Sequence, residues 1–288
     1  MRRRVRDAAV ALIAASVGAA LALSALPVQG QAQRAAVPRT ADGKPDMNGI
    51  WQVLNTANWD LEPHAAKAAL AMRPGPIVPV PAKEVLAFGA VGSVPFGLGV
   101  VVGGPIPYTP EGLAKKRENQ ENWLTRDPEI KCYLPGVPRA NYMPFPFQIF
   151  QSNSHFFIAY EYASAVRNIY LTDPGPPETD TWMGQSVGRW EGDTFVVAAN
   201  GFHDQSWFDR AGNHHTERLR VTERYTMTSP DHIQYEATME DPGVFTRPWT
   251  IRMPLYRHVN PDARLGQFKC VEFVEELMYG QLRRQPLQ

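Results

Sequence analysis

Residues 219–239 read LRVTERYTMTSPDHIQYEATM, two runs of alternating apolar and polar residues about a Ser229-Pro230-Asp231 turn. Alternation with period two is the mark of a half-buried β-strand, because successive side chains of an extended chain point to opposite faces. Serine, proline and aspartate favour tight turns, so the stretch is an antiparallel hairpin. In its first strand Leu219, Val221, Tyr225 and Met227 share one face, while Arg220, Thr222, Arg224 and Thr226 take the other. Glu223 falls with the apolar set, where an unpaired carboxylate would be costly.

Working outward, short runs rich in aromatic and β-branched residues recur near 146–152, 155–162, 166–172, 185–191, 193–199, 249–257 and 267–274, and an earlier one lies at 47–54. Glu191-Gly192-Asp193 is a second hairpin turn by composition. Hairpins in series with no helices between them predict a mainly β fold, an antiparallel meander. Such a sheet exposes two unpaired edges unless it curls shut, so a closed or nearly closed, lipocalin-like barrel is the expected architecture, with a two-sheet sandwich as the alternative. No fixed-period repeat points to a solenoid or propeller.

Upstream of the strands, Thr109 is placed to cap a helix that has Pro110 at its first position and Glu111 in its first turn, and Asp127-Pro128 ends it, giving a helix over 109–127. Residues 72–108 carry proline and glycine too densely for a helix or a central strand, which predicts an ordered wrap or a flap. The chain opens with four arginines in its first seven residues, followed by a small, apolar run over 8–26 that ends at Pro27. That order predicts a secretory signal peptide over 1–32, with a retained membrane anchor as the competing reading. A flexible leader over 33–46 and a single β-rich domain over 47–288, its main sheet within 132–276, complete the expected organisation.

Lysine plus arginine equal aspartate plus glutamate at 29 each, so nothing electrostatic suggests a nucleic-acid partner, and no membrane contact is expected once the leader is removed. Cys132 and Cys270 are the two cysteines of the chain. Export would put them in an oxidising compartment, where a disulfide is expected, two separately buried thiols being the alternative.

The same alternation places Glu161 with Phe157 and Ala159, Arg167 with Ile169 and Leu171, and Glu272 with Phe268, Cys270 and Val274. Three glutamates and an arginine inside a greasy barrel would compose a ligand or acid–base site, whereas a purely structural ion pair is the bland reading. A second constellation lies in the loop 201–218, with His203, Asp204, Trp207, Asp209, Arg210, His214, His215 and Glu217. A histidine there could shuttle protons beside Asp204 or Asp209, but the spacing fits no familiar metal pattern, so no metal is expected. Gly-x-Ser-x-Gly, a P-loop and a glycine-rich strand-to-helix turn are all missing from the sequence, which disfavours a serine hydrolase and predicts no nucleotide cofactor. Tyr160, Trp190, Trp207, Tyr225 and Trp249 are candidates to stack on a flat ligand, although in a β-rich domain most aromatics are core.

Several phrases occur together: Pro45-Asp46-Met47-Asn48-Gly49-Ile50-Trp51, Gly136-Val137-Pro138-Arg139, Ser186-Val187-Gly188-Arg189-Trp190-Glu191-Gly192-Asp193-Thr194 and Trp207-Phe208-Asp209-Arg210-Ala211-Gly212. In them the chain resembles a widespread family of secreted, largely uncharacterised bacterial proteins with a Pro-Asp-x-x-Gly-x-Trp start and a Ser-x-Gly-x-Trp-Glu-Gly-Asp-Thr phrase. The resemblance implies export and a shared β-rich fold, and it implies no particular activity. Where that family has Asp-Thr-x-Gly-Phe, this chain has Ala198-Ala199-Asn200-Gly201-Phe202. The expectation is therefore an exported protein that binds a small apolar or aromatic molecule in a barrel cavity. Two alternatives stand beside it: a cofactor-free lyase, isomerase or hydrolase using Glu161, Arg167, His203, Asp209, His214 or Glu223, and a surface interaction module.

Overall fold

The computed structural model describes residues 36–67, 70–72, 85–87 and 94–272. The expected signal peptide, the start of the leader, most of 73–93 and the end of the ninth expected strand lie outside these. The chain divides into Met1–Ala36 and Val37–Gln288, and the barrel belongs to the second unit.

The alternating runs become strands: β1 Gly49–Gln52, β2 Leu70–Met72, β3 Val85–Ala87, β4 Phe147–Gln151, β5 Phe156–Tyr160, β6 Val166–Tyr170, β7 Gln185–Glu191, β8 Thr194–Asn200, β9 Arg220–Ser229, β10 His232–Glu240 and β11 Trp249–Arg257. Among the described residues nine of them close into a barrel in the order β1-β11-β10-β9-β8-β7-β6-β5-β4 and back to β1, while β2 and β3 pair with each other. Thr109 caps helix α1, Pro110–Glu121, by accepting from the Gly112 amide at 3.0 Å, and a single turn α2, Trp123–Arg126, follows.

Two features depart from a plain meander. β6 and β7 are parallel and share two residue pairs, Ile169 with Ser186 and Tyr170 with Val187. The connection over 171–184 carries Pro174, Pro176 and Pro177, which lack the amide donors a further strand needs, so it crosses over instead of turning back. Residues 267–272, expected as part of a ninth strand of the run, have no strand structure.

Closure depends on β1, which joins β4 on one side and β11 on the other. The Pro-Asp-x-x-Gly-x-Trp phrase builds that junction. Arg257 lies over the Trp51 ring at 4.3 Å and donates to the backbone carbonyls of Pro230, Asn48 and Asp46. Gln151 ties the phrase to β4 by accepting from the Met47 amide at 2.8 Å and donating to the Pro45 carbonyl at 3.0 Å. Residues of the expected leader are fastened too, for Arg39 grips Asp193 with two hydrogen bonds of 2.9 and 2.7 Å. β1 reaches only Tyr256 and Arg257 of β11, and the wrap covers more of that edge. There Val102 donates to Thr250 at 2.8 Å and Arg252 to Val100 at 3.0 Å, so the strand is not left open to another chain.

Cys132 and Cys270 form a disulfide across 138 residues of sequence, a loop whose closure removes roughly 4 to 5 kcal/mol of unfolded-state entropy on the chain model.

Gly49 has φ +131°, and a Cβ there would sit 2.5 Å from Arg257 Nη1, whereas Gly43 has φ +80° and open space around it. Gly43→Ala should therefore cost about 1 kcal/mol from backbone conformation alone, and Gly49→Ala about 2 kcal/mol more, as measured by urea unfolding. Equal costs would remove the Arg257 clamp from the account of closure.

Candidate functional site

The inward faces of the strands are mostly aromatic and aliphatic, among them Trp51, Phe147, Phe156, Phe195, Tyr225 and Tyr235, all fully buried. In their midst Arg167 on β6 meets Glu223 on β9, both at 2% exposure or less. Arg167 Nη1 donates to Glu223 Oε1 at 3.1 Å, Nη2 donates to Oε2, and Nε donates to Ser186 Oγ at 2.9 Å. Oε1 also receives the hydroxyls of Tyr225 at 2.9 Å and Tyr235 at 2.8 Å, together with Asn141 Nδ2 at 2.8 Å. The Tyr160 hydroxyl donates to Asn141 Oδ1 at 2.8 Å. Asn141 arrives from a 3-10 turn, Arg139–Tyr142, whose side chains are all buried.

Burial works against the charge on Arg167, but Glu223 outweighs it and holds the guanidinium well above its ordinary pKa. Burial followed by Glu223 pushes the Tyr225 and Tyr235 hydroxyls well up, and burial raises that of Tyr160, so all three stay protonated donors. Both oxygens of Glu223 are thus engaged by the protein's own side chains, Oε1 by four donors and Oε2 by Arg167.

The other interior carboxylates expected from the alternation are elsewhere. Inward side chains of β5 are Phe156, Ile158 and Tyr160, so the face assigned to Phe157 and Ala159 is the outer one, and Glu161 lies past the strand end, accepting from the Gly266 amide at 2.7 Å. Glu272 is exposed and on no strand. Trp207 and Trp249 are core, with Trp249 packed on Phe208 at 5.6 Å and Phe245 at 5.2 Å. Trp190 is half-buried between Phe195 and Lys44.

The 201–218 loop is a packed structure. Asp209 accepts from the backbone amides of Leu61 at 2.8 Å, Ala211 at 3.0 Å and Asn213 at 3.3 Å, and from the Asn213 side chain at 2.5 Å. Burial and then the neighbouring Asp60 raise its pKa to about 7. His214 is buried against Tyr108 at 6.2 Å, its Nδ1 has no partner, and burial lowers its pKa to about 4. His215 accepts from Ser206 at 2.8 Å through Nε2 and faces the Thr216 carbonyl at 3.0 Å through Nδ1, which fixes a neutral tautomer. His203 packs against Trp182 at 5.3 Å. Among the described residues no three His, Cys, Asp or Glu side chains gather as a metal site.

A second buried cluster had no alternation to announce it. Glu129 binds Arg210 through both oxygens at 2.5 and 2.6 Å and Arg139 at 2.8 Å, and Arg139 Nε donates to Asn58 at 2.9 Å. Burial opposes ionisation of Glu129, yet Arg210 and Arg139 prevail and hold its pKa at about 2. Asp127, fully buried and 3.9 Å from Arg139, is pushed up to about 6 by burial, and its Oδ2 has no partner. The Gly-Val-Pro-Arg phrase that carries Arg139 and the Trp-Phe-Asp-Arg-Ala-Gly phrase that carries Arg210 were sequence signals near this cluster, but nothing joined them to each other.

Comparison with known proteins finds no family model that matches the chain and no similar sequence among the characterised proteins.

Removing one partner of a buried pair strands the other charge, so Glu223→Gln and Arg167→Met should each cost about 3 to 5 kcal/mol, while the double variant costs clearly less than their sum. Additive losses in a urea double-mutant cycle would show that the two side chains act separately. Asp127 holds a proton in the folded chain at pH values where the unfolded chain releases it, so its contribution is complete below about 4 and is lost as pH rises through about 6. Asp127→Asn should accordingly match the wild type near pH 4 and surpass it by on the order of 1 to 2 kcal/mol at pH 7. A difference that does not vary with pH would place the carboxylate in solvent.

Proposed function

We propose that this chain is an exported protein that binds a small molecule with a flat apolar or aromatic face, and that the ligand seats in a cleft at the β6–β7 seam, outside the filled barrel interior. The observation that carries the reading is a cleft of about 530 Å³ between the proline-rich crossover and the start of β6, which pairs with β5 but not with β7, lined by Tyr170, Pro174, Pro176, Pro177, Met183 and Gln185 among others. That volume is within the range of small-molecule sites, and the walls mix proline and tyrosine surface with a larger share of polar groups. Tyr170 is 42% exposed and offers a ring face, and Asn168, Thr179, Thr181 and Gln185 supply donors and acceptors. A neighbouring cleft of about 700 Å³ shares Pro176 and Gln185 with it and lies against β7 to β9.

The cleft has a physical origin. Strand hydrogen bonding stops after two residue pairs at the parallel junction, and the prolines hold the crossover off the sheet. Export is supported by the arginine-rich, apolar chain start and by the disulfide, and no described helix is long and apolar enough to cross a membrane. The acid–base alternative has less to rest on, because the partners of Glu223 are all internal and Asp209 is enclosed by amide donors.

Thermal shifts against a library of aromatic, terpenoid and sugar compounds, run with and without chelator, test the proposal. A binder should lose at least tenfold in affinity with Tyr170→Ala and keep its affinity with Tyr235→Phe, whose hydroxyl is inside the barrel. The reverse pattern would put the ligand in the interior, and a library without any binder would remove the proposal.

A further inference from the structure

After β11 the chain leaves the barrel, and residues 259–272 run without helix or strand. Contacts of three residues, Gly266, Phe268 and Cys270, fasten this stretch to the rest of the described chain. The Gly266 amide donates to Glu161 Oε2 at 2.7 Å, Phe268 packs against Phe145 at 4.5 Å and Tyr162 at 5.1 Å, and Cys270 is bonded to Cys132. Cys270 Sγ also lies 3.7 Å from the Glu129 carbonyl.

What lies beneath is polar and incompletely satisfied. The Tyr162 ring, stacked on Phe268, is buried and its hydroxyl has no partner, as is true of Asp127 Oδ2. Both belong to the neighbourhood of the Glu129–Arg139–Arg210 cluster, whose charges act on the Tyr162 hydroxyl. Buried polar atoms without partners are uncommon and gain from access to water. The stretch therefore covers groups that water would stabilise.

We infer that residues 259–272 are a redox-released strap, sealed over Tyr162 and the acid–arginine cluster by the Cys132–Cys270 bond and freed when that bond is reduced. Reduction needs a dithiol, which passes two electrons and two protons: the S–S bond breaks, Cys132 and Cys270 become thiols, and the dithiol closes to its own disulfide. Among the described residues, the Gly266 hydrogen bond, the two ring contacts of Phe268 and the approach of Cys270 Sγ to the Glu129 carbonyl are then left to order the segment, little against the conformational freedom it regains. The barrel does not depend on the strap, because every one of its described strands ends by Arg257 and β1 closes it between β4 and β11. This inference is independent of the ligand cleft.

Hydrogen exchange and limited trypsin digestion of the full chain, with and without dithiothreitol, test it. Arg264 and Lys269 are both exposed and both lie in the strap. Reduction, verified by alkylation of both cysteines, should speed strap exchange and cleavage at these two sites at least tenfold and leave exchange in β7 to β11 unchanged. A Cys132→Ser/Cys270→Ser variant should show the fast rates without reductant, and if it fails to fold the reduced wild-type chain carries the test. Phe268→Ala with the disulfide intact should stay slow. An unchanged strap in the fully reduced chain, strap and barrel opening together, or release by Phe268→Ala alone would each overturn the inference.

Discussion

The ion pair between Arg167 and Glu223 is the constraint around which the interior is organised. Two unit charges out of water are tolerated only when their remaining hydrogen-bonding positions are filled, and here Ser186, Tyr225, Tyr235, Asn141 and, through Asn141, Tyr160 fill them. Together with Arg167 and Glu223 themselves, those side chains come from five strands, β5, β6, β7, β9 and β10, and a 3-10 turn. A register slip on any of the five strands would turn its contribution outward and leave a buried charge short of partners. The network thus specifies which way each strand faces, a role that does not require it to add net stability.

Filling the interior in this way is why the proposed ligand site is placed outside the barrel. Two seams of the described barrel are short, β1 with β11, where the wrap adds hydrogen bonds, and the parallel contact of β6 with β7, which follows from a proline-rich crossover. In the two proposals stability and access are separated: the closed barrel holds the ion pair within a mostly apolar core, and the irregular segments around it, the crossover and the C-terminal stretch, carry the proposed site and strap. The phrases on which the family resemblance rests fall largely on the rigid part. Asp46 to Trp51 closes the barrel, and Glu191-Gly192-Asp193 turns a hairpin that Arg39 grips.

Much of this was legible in the chain. Eight of the expected strands downstream of Cys132 appear within two residues or so of their limits, because apolar and polar residues alternate cleanly where one face is wet. Glu223 and Arg167 stood out as charges in apolar registers, and both are interior. The disulfide followed from the two cysteines. Glu161 was misplaced because residues 156–160 are apolar on both parities, so alternation could not tell inside from outside, and the strand ends one residue earlier. Glu272 was misplaced because composition at 267–272 favours a strand while the stretch pairs with no described strand. The parallel junction needed the prolines of 171–184 to be weighed as a crossover, and the Asp127–Glu129–Arg139–Arg210 cluster joins loops far apart in sequence, for which periodicity has no signal.

The account stands or falls on the barrel interior being sealed. Nitrogen-15 spectra recorded after transfer into deuterated buffer at neutral pH examine this at one proton, the Arg167 Nε–H that donates to Ser186. Its signal should persist for hours, while those of the exposed Arg189 and Arg252 side chains vanish in the dead time. Disappearance of the Arg167 signal together with theirs would mean that water enters freely, and the closed interior would have to be given up.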